Sequence, residues 1–175
     1  MRLYNLIDRL PEFPYFLLAL FYVLTTPVDV ARQVLSAAFC YMVFAISVGL
    51  AIKLALKTPR PREYRCIPIA KYDIPSLHTL VSVGSIVFIY FINPLYAVVF
   101  TPVGVLYMYS RIKLGIHTKK AVIYGALIGV VIGFFFGTII TEIDLGPLRV
   151  PAAILFFAIP VCASLYRLKY LRVKA

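Results

Sequence analysis

Residues 121–140 read AVIYGALIGVVIGFFFGTII, an apolar run without a charged side chain and with Gly125, Gly129, Gly133 and Gly137 spaced four apart. A helix rises about 1.5 Å per residue, so about twenty such residues match the roughly 30 Å hydrocarbon core of a bilayer. Spacing of four puts the glycines on one stripe, where missing side chains let another backbone approach closely. That stripe fits packing within the chain or a homodimer seam, and the sequence leaves both open.

The same reading extends outward. Apolar segments fall at 13–26, 30–56, 76–93, 94–112, 118–141 and 149–166. Recognisable breakers divide them: Pro27 with Asp29, the basic stretch 57–75, Asn93-Pro94, the basic stretch 111–120, and Glu142 to Pro151. The pattern predicts an all-α, polytopic membrane helix bundle of about six transmembrane helices, with residues 1–175 forming a single membrane-embedded domain. The first segment is short and begins beside Glu12 and Pro14, so a half-span or interfacial helix, leaving five spans, is the alternative. Arg2 and Arg9 precede it as in a signal peptide, but only Thr25-Thr26-Pro27 follows, which is no small-residue cleavage site. Composition agrees: 62% of residues are hydrophobic, 14% are charged, and mean hydropathy is +0.93. A soluble domain runs near half apolar and a quarter charged, which excludes an ordinary cytosolic protein.

The 18 Lys and Arg outnumber 7 Asp and Glu, for a net charge of +11. In so apolar a chain, that excess points to anionic lipid headgroups or a phosphorylated substrate, and away from nucleic acid. With six spans, every Lys and Arg except Arg32 and Arg149 falls on the side shared by both termini and the loops 57–75 and 111–120. The positive-inside rule makes that side cytoplasmic. Cys40 and Cys162 sit in apolar runs and Cys66 in a basic loop, with no metal-ligand spacing and no disulfide framework. His78 and His117 are the only histidines, so no metal centre and no cofactor is expected.

Three short patterns carry chemistry. Lys53 and Arg60-Pro61 are seven residues apart, nearly two helical turns, so both cations can share a face near a helix end. A lysine there can also simply snorkel to the interface. Pro75-Ser76-Leu77-His78 opens an apolar helix with Ser76 at the N-cap, which offers the N–H groups of Leu77 and His78 to an anion. The alternative for His78 is a capping or interfacial histidine. Ser110-Arg111 precedes His117 by a five-residue spacer, at the junction of two apolar segments. Charged groups close to the bilayer are costly unless paired, which makes both functional candidates against a plain headgroup contact. Together the segments gather three cations, two imidazoles and a helix start on one membrane face. That set is suited to phosphoryl transfer: cations stabilise the pentacoordinate phosphorus, one histidine attacks and the other protonates the departing oxygen.

Those residues make the chain resemble the type 2 phosphatidic acid phosphatase family, integral membrane lipid phosphatases related to vanadium haloperoxidases. The family pattern is Lys-x6-Arg-Pro, Pro-Ser-Gly-His and Ser-Arg-x5-His-x3-Asp. Lys53, Arg60, Pro61, Pro75, Ser76, His78, Ser110, Arg111 and His117 match it in order. The resemblance implies that His117 is the nucleophile, forming a phosphohistidine, and that His78 is the general acid. It implies that Lys53, Arg60, Ser76, Leu77 and Arg111 bind phosphate, that no metal takes part, and that the substrate is a lipid phosphate or diphosphate drawn from the bilayer. A polyprenyl diphosphate and a glycerolipid phosphate fit equally well.

Two positions depart from the pattern. Leu77 stands where the family has glycine, which narrows the approach of backbone to phosphate. Ala121 stands where the family has the aspartate that orients the nucleophilic histidine. Either a carbonyl or an acid from the same side, such as Asp73 or Glu63, substitutes, or catalysis is weakened. A carboxylate introduced at 121 lies one helical turn from His117, so Ala121→Asp is expected to raise turnover about tenfold. The alternative reading is a weakened or inactive relative that binds phospholipid headgroups. A small transporter or channel fits the hydropathy but not the gathering of charges on one face.

Overall fold

The computed structural model describes residues 13–61, 71–143 and 145–172, and they are helical with no strand among them. Among the described residues there are six α-helices: α1 Phe13–Thr25, α2 Val28–Leu56, α3 Leu77–Ile92, α4 Pro94–Lys113, α5 Lys119–Thr138 and α6 Arg149–Arg172. A 3-10 turn, Gly146–Leu148, precedes α6. The six expected helices are therefore present, each within a few residues of its predicted bounds except α6, which runs on to Arg172. Three of them, α2, α4 and α5, are long and apolar enough to cross a membrane, whereas α3 is apolar but 16 residues long. Arg2, Arg9, Arg62, Glu63, Arg65, Cys66 and Lys174 lie outside the described residues.

Local chemistry sets the helix boundaries. Lys57 ends α2 in the left-handed region at φ 46°, with its N–H still reaching the Lys53 carbonyl at 3.0 Å. Asn93 separates α3 from α4: its N–H bonds back to Ile89, while its side chain accepts from Leu95 N at 2.9 Å. Pro94, which has no N–H to satisfy, occupies the first position of α4. Gly115, at φ 65°, turns the chain after α4.

The chain forms two compact units, Met1–Cys40 with Ile140–Ala175, and Tyr41–Ile139. In the first, Gln33 donates from Nε2 to the Thr141 carbonyl at 2.8 Å. The second is built on the close approach of α3 and α5. A Cβ at Gly125 would lie 2.6 Å from the Ser76 carbonyl oxygen, and Cβ atoms at Gly129 and Gly133 would strike the carbonyls of Leu80 and Gly84. At Gly137 a Cβ would meet the Phe91 ring. The glycine stripe thus seats α3 of the same chain. Gly84 reciprocates, since a Cβ there would meet the Tyr41 hydroxyl at 2.5 Å and the Gly129 carbonyl at 2.7 Å. Tyr41 closes this end of the unit, stacking on Phe88 at 5.5 Å and meeting the Phe136 edge at 6.1 Å. Its hydroxyl donates to the Val81 carbonyl at 2.8 Å.

The other face of α5 exposes Ile123, Leu127, Val130, Val131 and Phe134. Small residues inside and large apolar ones outside invert the pattern of a soluble helix, and suit a helix whose outer solvent is lipid. Van der Waals contact between backbones then supplies the packing that water would otherwise drive.

Candidate active site

Four titratable groups of the second unit are buried. Lys53, Asp73, Arg111 and His117 are each no more than 3% exposed. Buried charge is costly unless paired and hydrogen-bonded, so the partners define the site.

Lys53 comes from the last turn of α2 and donates to the carbonyls of Tyr72 and Asp73, both at 2.9 Å. Arg60 Nε donates to the same Tyr72 carbonyl at 2.9 Å. Arg60 lies beyond the end of α2 at Leu56, so helical spacing does not bring the two cations together; they meet at one oxygen through the loop. Segments 58–60 and 71–74 are clasped together to make this possible. A Pro59–Tyr72 antiparallel bridge joins them, Asp73 N donates to the Thr58 carbonyl at 2.7 Å, and Ile74 N donates to Thr58 Oγ1 at 3.1 Å.

The clasp carries Asp73 to His117. Asp73 Oδ1 lies 2.7 Å from His117 Nδ1, while Oδ2 accepts from Thr118 Oγ1 at 2.6 Å and from Thr118 N at 3.4 Å. A carboxylate partner selects the tautomer with hydrogen on Nδ1, which leaves the lone pair on Nε2. Burial lowers the pKa of His117 from its ordinary value, and the positive charges of Arg60 and Lys53 push the same way against the raising effect of Asp73. The ring is therefore neutral near pH 7, the state a nucleophilic imidazole requires.

His117 is fixed from its backbone as well. Its N–H and that of Ile116 both reach the Arg111 carbonyl, at 3.3 and 3.1 Å, which wraps the chain around the end of α4. Arg111 itself is buried in the last turn of that helix. Ser76 is buried at the N-cap of α3, and its N–H donates to the Ala121 carbonyl at 3.0 Å. Its hydroxyl does not cap the helix but accepts from Thr79 Oγ1 at 3.0 Å. Leu77 and His78 follow in the first turn of α3, both half-buried.

Hydrogen bonds thus link Lys53, Arg60, Asp73, His117, Arg111 and Ser76 into one connected set through Tyr72, Thr118 and Ala121, with Leu77 and His78 adjoining it on α3. Thr118 is the residue that sequence reasoning missed. Its signal was available: a threonine directly before the helix-opening Lys119-Lys120 is an N-cap, and here it accepts from Ala121 N at 3.1 Å. Among the described residues, no group of three or more His, Cys, Asp or Glu side chains is placed to hold a metal ion.

The described residues thus form apolar helices with clustered cations and a carboxylate-held imidazole at their ends. Residues 29–144 match the PAP2 superfamily, and the chain belongs to it. Membership makes the protein, at that coarse level, a phosphatase and so a hydrolase. No curated protein and no solved structure gives a match.

Proposed function

We propose that this protein is a metal-independent lipid phosphatase that hydrolyses a lipid phosphate or diphosphate through a phosphohistidine on His117. The observation that carries the reading is charge. Lys53 and Arg60 bring positive charge to a buried neutral imidazole, against the single carboxylate Asp73 among the described side chains there, and the buried Arg111 adds a third cation on the residue whose carbonyl holds the His117 N–H. A phosphate dianion offsets the remaining excess, and burial makes that pairing worth more than it would be in water.

In the first step His117 Nε2 attacks phosphorus, a P–N bond forms, and the P–O bond to the lipid breaks. His78 gives its proton to the departing oxygen. Water then attacks the phosphohistidine, His78 takes the water proton, and the P–N bond breaks to release inorganic phosphate. Lys53, Arg60 and Arg111 hold the equatorial oxygens, helped by Ser76 and the N–H groups that open α3. For substrate, a polyprenyl diphosphate and a glycerolipid phosphate both answer to this chemistry. The protein is multi-pass and its site faces the cytoplasm, a reading supported by the one-sided distribution of Lys and Arg.

The test is phosphate release from a panel of lipid phosphates and diphosphates by the purified protein in detergent. Release that persists in EDTA, is inhibited by vanadate and is absent from His117→Ala supports the reading. Loss in EDTA with recovery on adding a divalent ion overturns the mechanism. Binding of the lipids without release leaves headgroup binding as the function.

A further inference from the structure

We propose that Asp73 is the positioning carboxylate of His117, contributed by the loop before α3, in place of a side chain at position 121 on α5. The proposal deepens the phosphatase reading and rests on it for its kinetic consequence, though not for its geometry.

Every atom that sets the direction of Asp73 is held. Its N–H and carbonyl are fixed by Thr58 and Lys53, at 2.7 and 2.9 Å. Oδ2 takes both donors of Thr118, and Thr118 is anchored by capping α5. The one remaining oxygen, Oδ1, meets Nδ1 of His117 at 2.7 Å, with both side chains at most 3% exposed. A carboxylate held by three points of an enclosed site does for the ring what a flexible surface acid cannot: it fixes the plane as well as the tautomer. As the P–N bond forms at Nε2, positive charge spreads across the ring to Nδ1–H, where Oδ1 stabilises it. The proton stays on Nδ1 throughout, and hydrolysis of the phosphohistidine restores the neutral ring.

Position 121 contributes differently. Its side chain is a fully buried methyl group, and its carbonyl holds the start of α3 through Ser76 N–H. Nδ1 carries one hydrogen, and Asp73 already accepts it. A second carboxylate at 121 would compete for that hydrogen and place like charges together. The sequence-based expectation that Ala121→Asp raises turnover is therefore reversed.

Asp73→Asn gives the sharpest test, because the amide has a forced orientation. Its oxygen belongs where Oδ2 faces the two Thr118 donors, so its NH2 must face Nδ1. The imidazole hydrogen then moves to Nε2, the nitrogen that should attack. Nitrogen NMR of histidine-labelled protein reads this directly, since the chain has two histidines and a His78 replacement assigns the signals. The expected result is Nδ1–H in the native protein and Nε2–H in Asp73→Asn. With p-nitrophenyl phosphate as substrate, kcat should fall between about a hundredfold and ten-thousandfold while KM changes little; losing the orienting aspartate of a serine-protease triad costs about the upper figure. Ala121→Asp, made with Asp73 intact, should give no gain. The proposal is overturned by an Nδ1–H tautomer that survives in Asp73→Asn, by turnover within about threefold of native in that variant, or by a tenfold gain in Ala121→Asp. A native protein that releases no phosphate sinks the phosphatase reading alone, because the tautomer measurement still decides the role of Asp73.

Discussion

Helices α3 and α5 start next to each other, joined by the bond from Ser76 N–H to the Ala121 carbonyl, and their caps are built in opposite ways. Thr118 closes the start of α5: its hydroxyl oxygen accepts from Ala121 N, and its hydroxyl hydrogen goes to Asp73. Ser76 leaves the start of α3 open, because its hydroxyl is occupied by Thr79 and caps no backbone N–H. A capped start is a rigid mount, and it holds the histidine that precedes it. A start not capped by its own side chain keeps donors and a partial positive charge for something else. The comparison teaches that the two ends are built for different work: the α5 end fixes the ring, and the proposed function assigns the anion to the α3 end.

That division can be broken most severely at the histidines. His117→Ala is expected to abolish phosphate release from every ester, a loss of at least about 10⁵-fold, because no nucleophile remains. His78→Ala is expected to cost about 10²- to 10⁴-fold on an alkyl phosphate, the usual range for a lost general acid. On p-nitrophenyl phosphate, whose leaving group needs no proton, the loss should shrink to about tenfold or less in the first step. Equal losses on both esters would remove His78 from the acid role.

The caps themselves give a smaller and more direct comparison. Thr118→Ala removes a working cap and the hydrogen bond to Asp73, and is expected to destabilise the protein by about 1–2 kcal/mol, read as a drop in Tm. Ser76→Ala removes a hydroxyl that caps nothing but accepts from the buried Thr79, and is expected to cost only that hydrogen bond, about 0.5–1 kcal/mol. Equal costs would mean that the two starts are not different in kind. For phosphate affinity, Leu77→Gly is expected to lower KM by only a few fold, by letting the backbone of the open start approach the substrate.

The proton affinity of His117 sharpens the picture from the other end. Burial lowers it in the folded state, so as pH falls through the ordinary histidine value near 6.5 the unfolded chain takes up a proton that the folded site refuses. This group therefore stabilises the fold least at acid pH, and its contribution recovers as pH rises above that value. An NMR titration should find His117 still neutral at about pH 6, where an exposed histidine is mostly protonated. A midpoint at 6.5 or above would mean that the ring is not held in a buried, cation-lined site.

Much of this was legible without coordinates. Pro27, Asn93-Pro94 and the basic stretches marked the helix limits because turn chemistry there coincides with a break in the apolar run; proline alone does not end a helix, since Pro102 lies inside α4. The stripe of four glycines announced a close backbone approach, although its partner α3 had to be seen. Lys53, Arg60, Ser76, Arg111 and His117 were readable because their spacing put them near helix ends on one side. The pairing of Asp73 with His117 was readable only as one option among several, with Glu63 and a carbonyl standing equal to it.

Sequence alone determined the helix limits and the residue types available for phosphoryl transfer. These follow from the length of apolar runs and the cost of charge in hydrocarbon, which act locally along the chain. Only tertiary structure decided which acid meets His117. Asp73 and His117 are 44 residues apart, and their meeting depends on the clasp of Thr58 and Pro59 against Tyr72 and Asp73. A loop has no periodicity from which the direction of a side chain can be read, so a contact of 2.7 Å had to come from the folded chain.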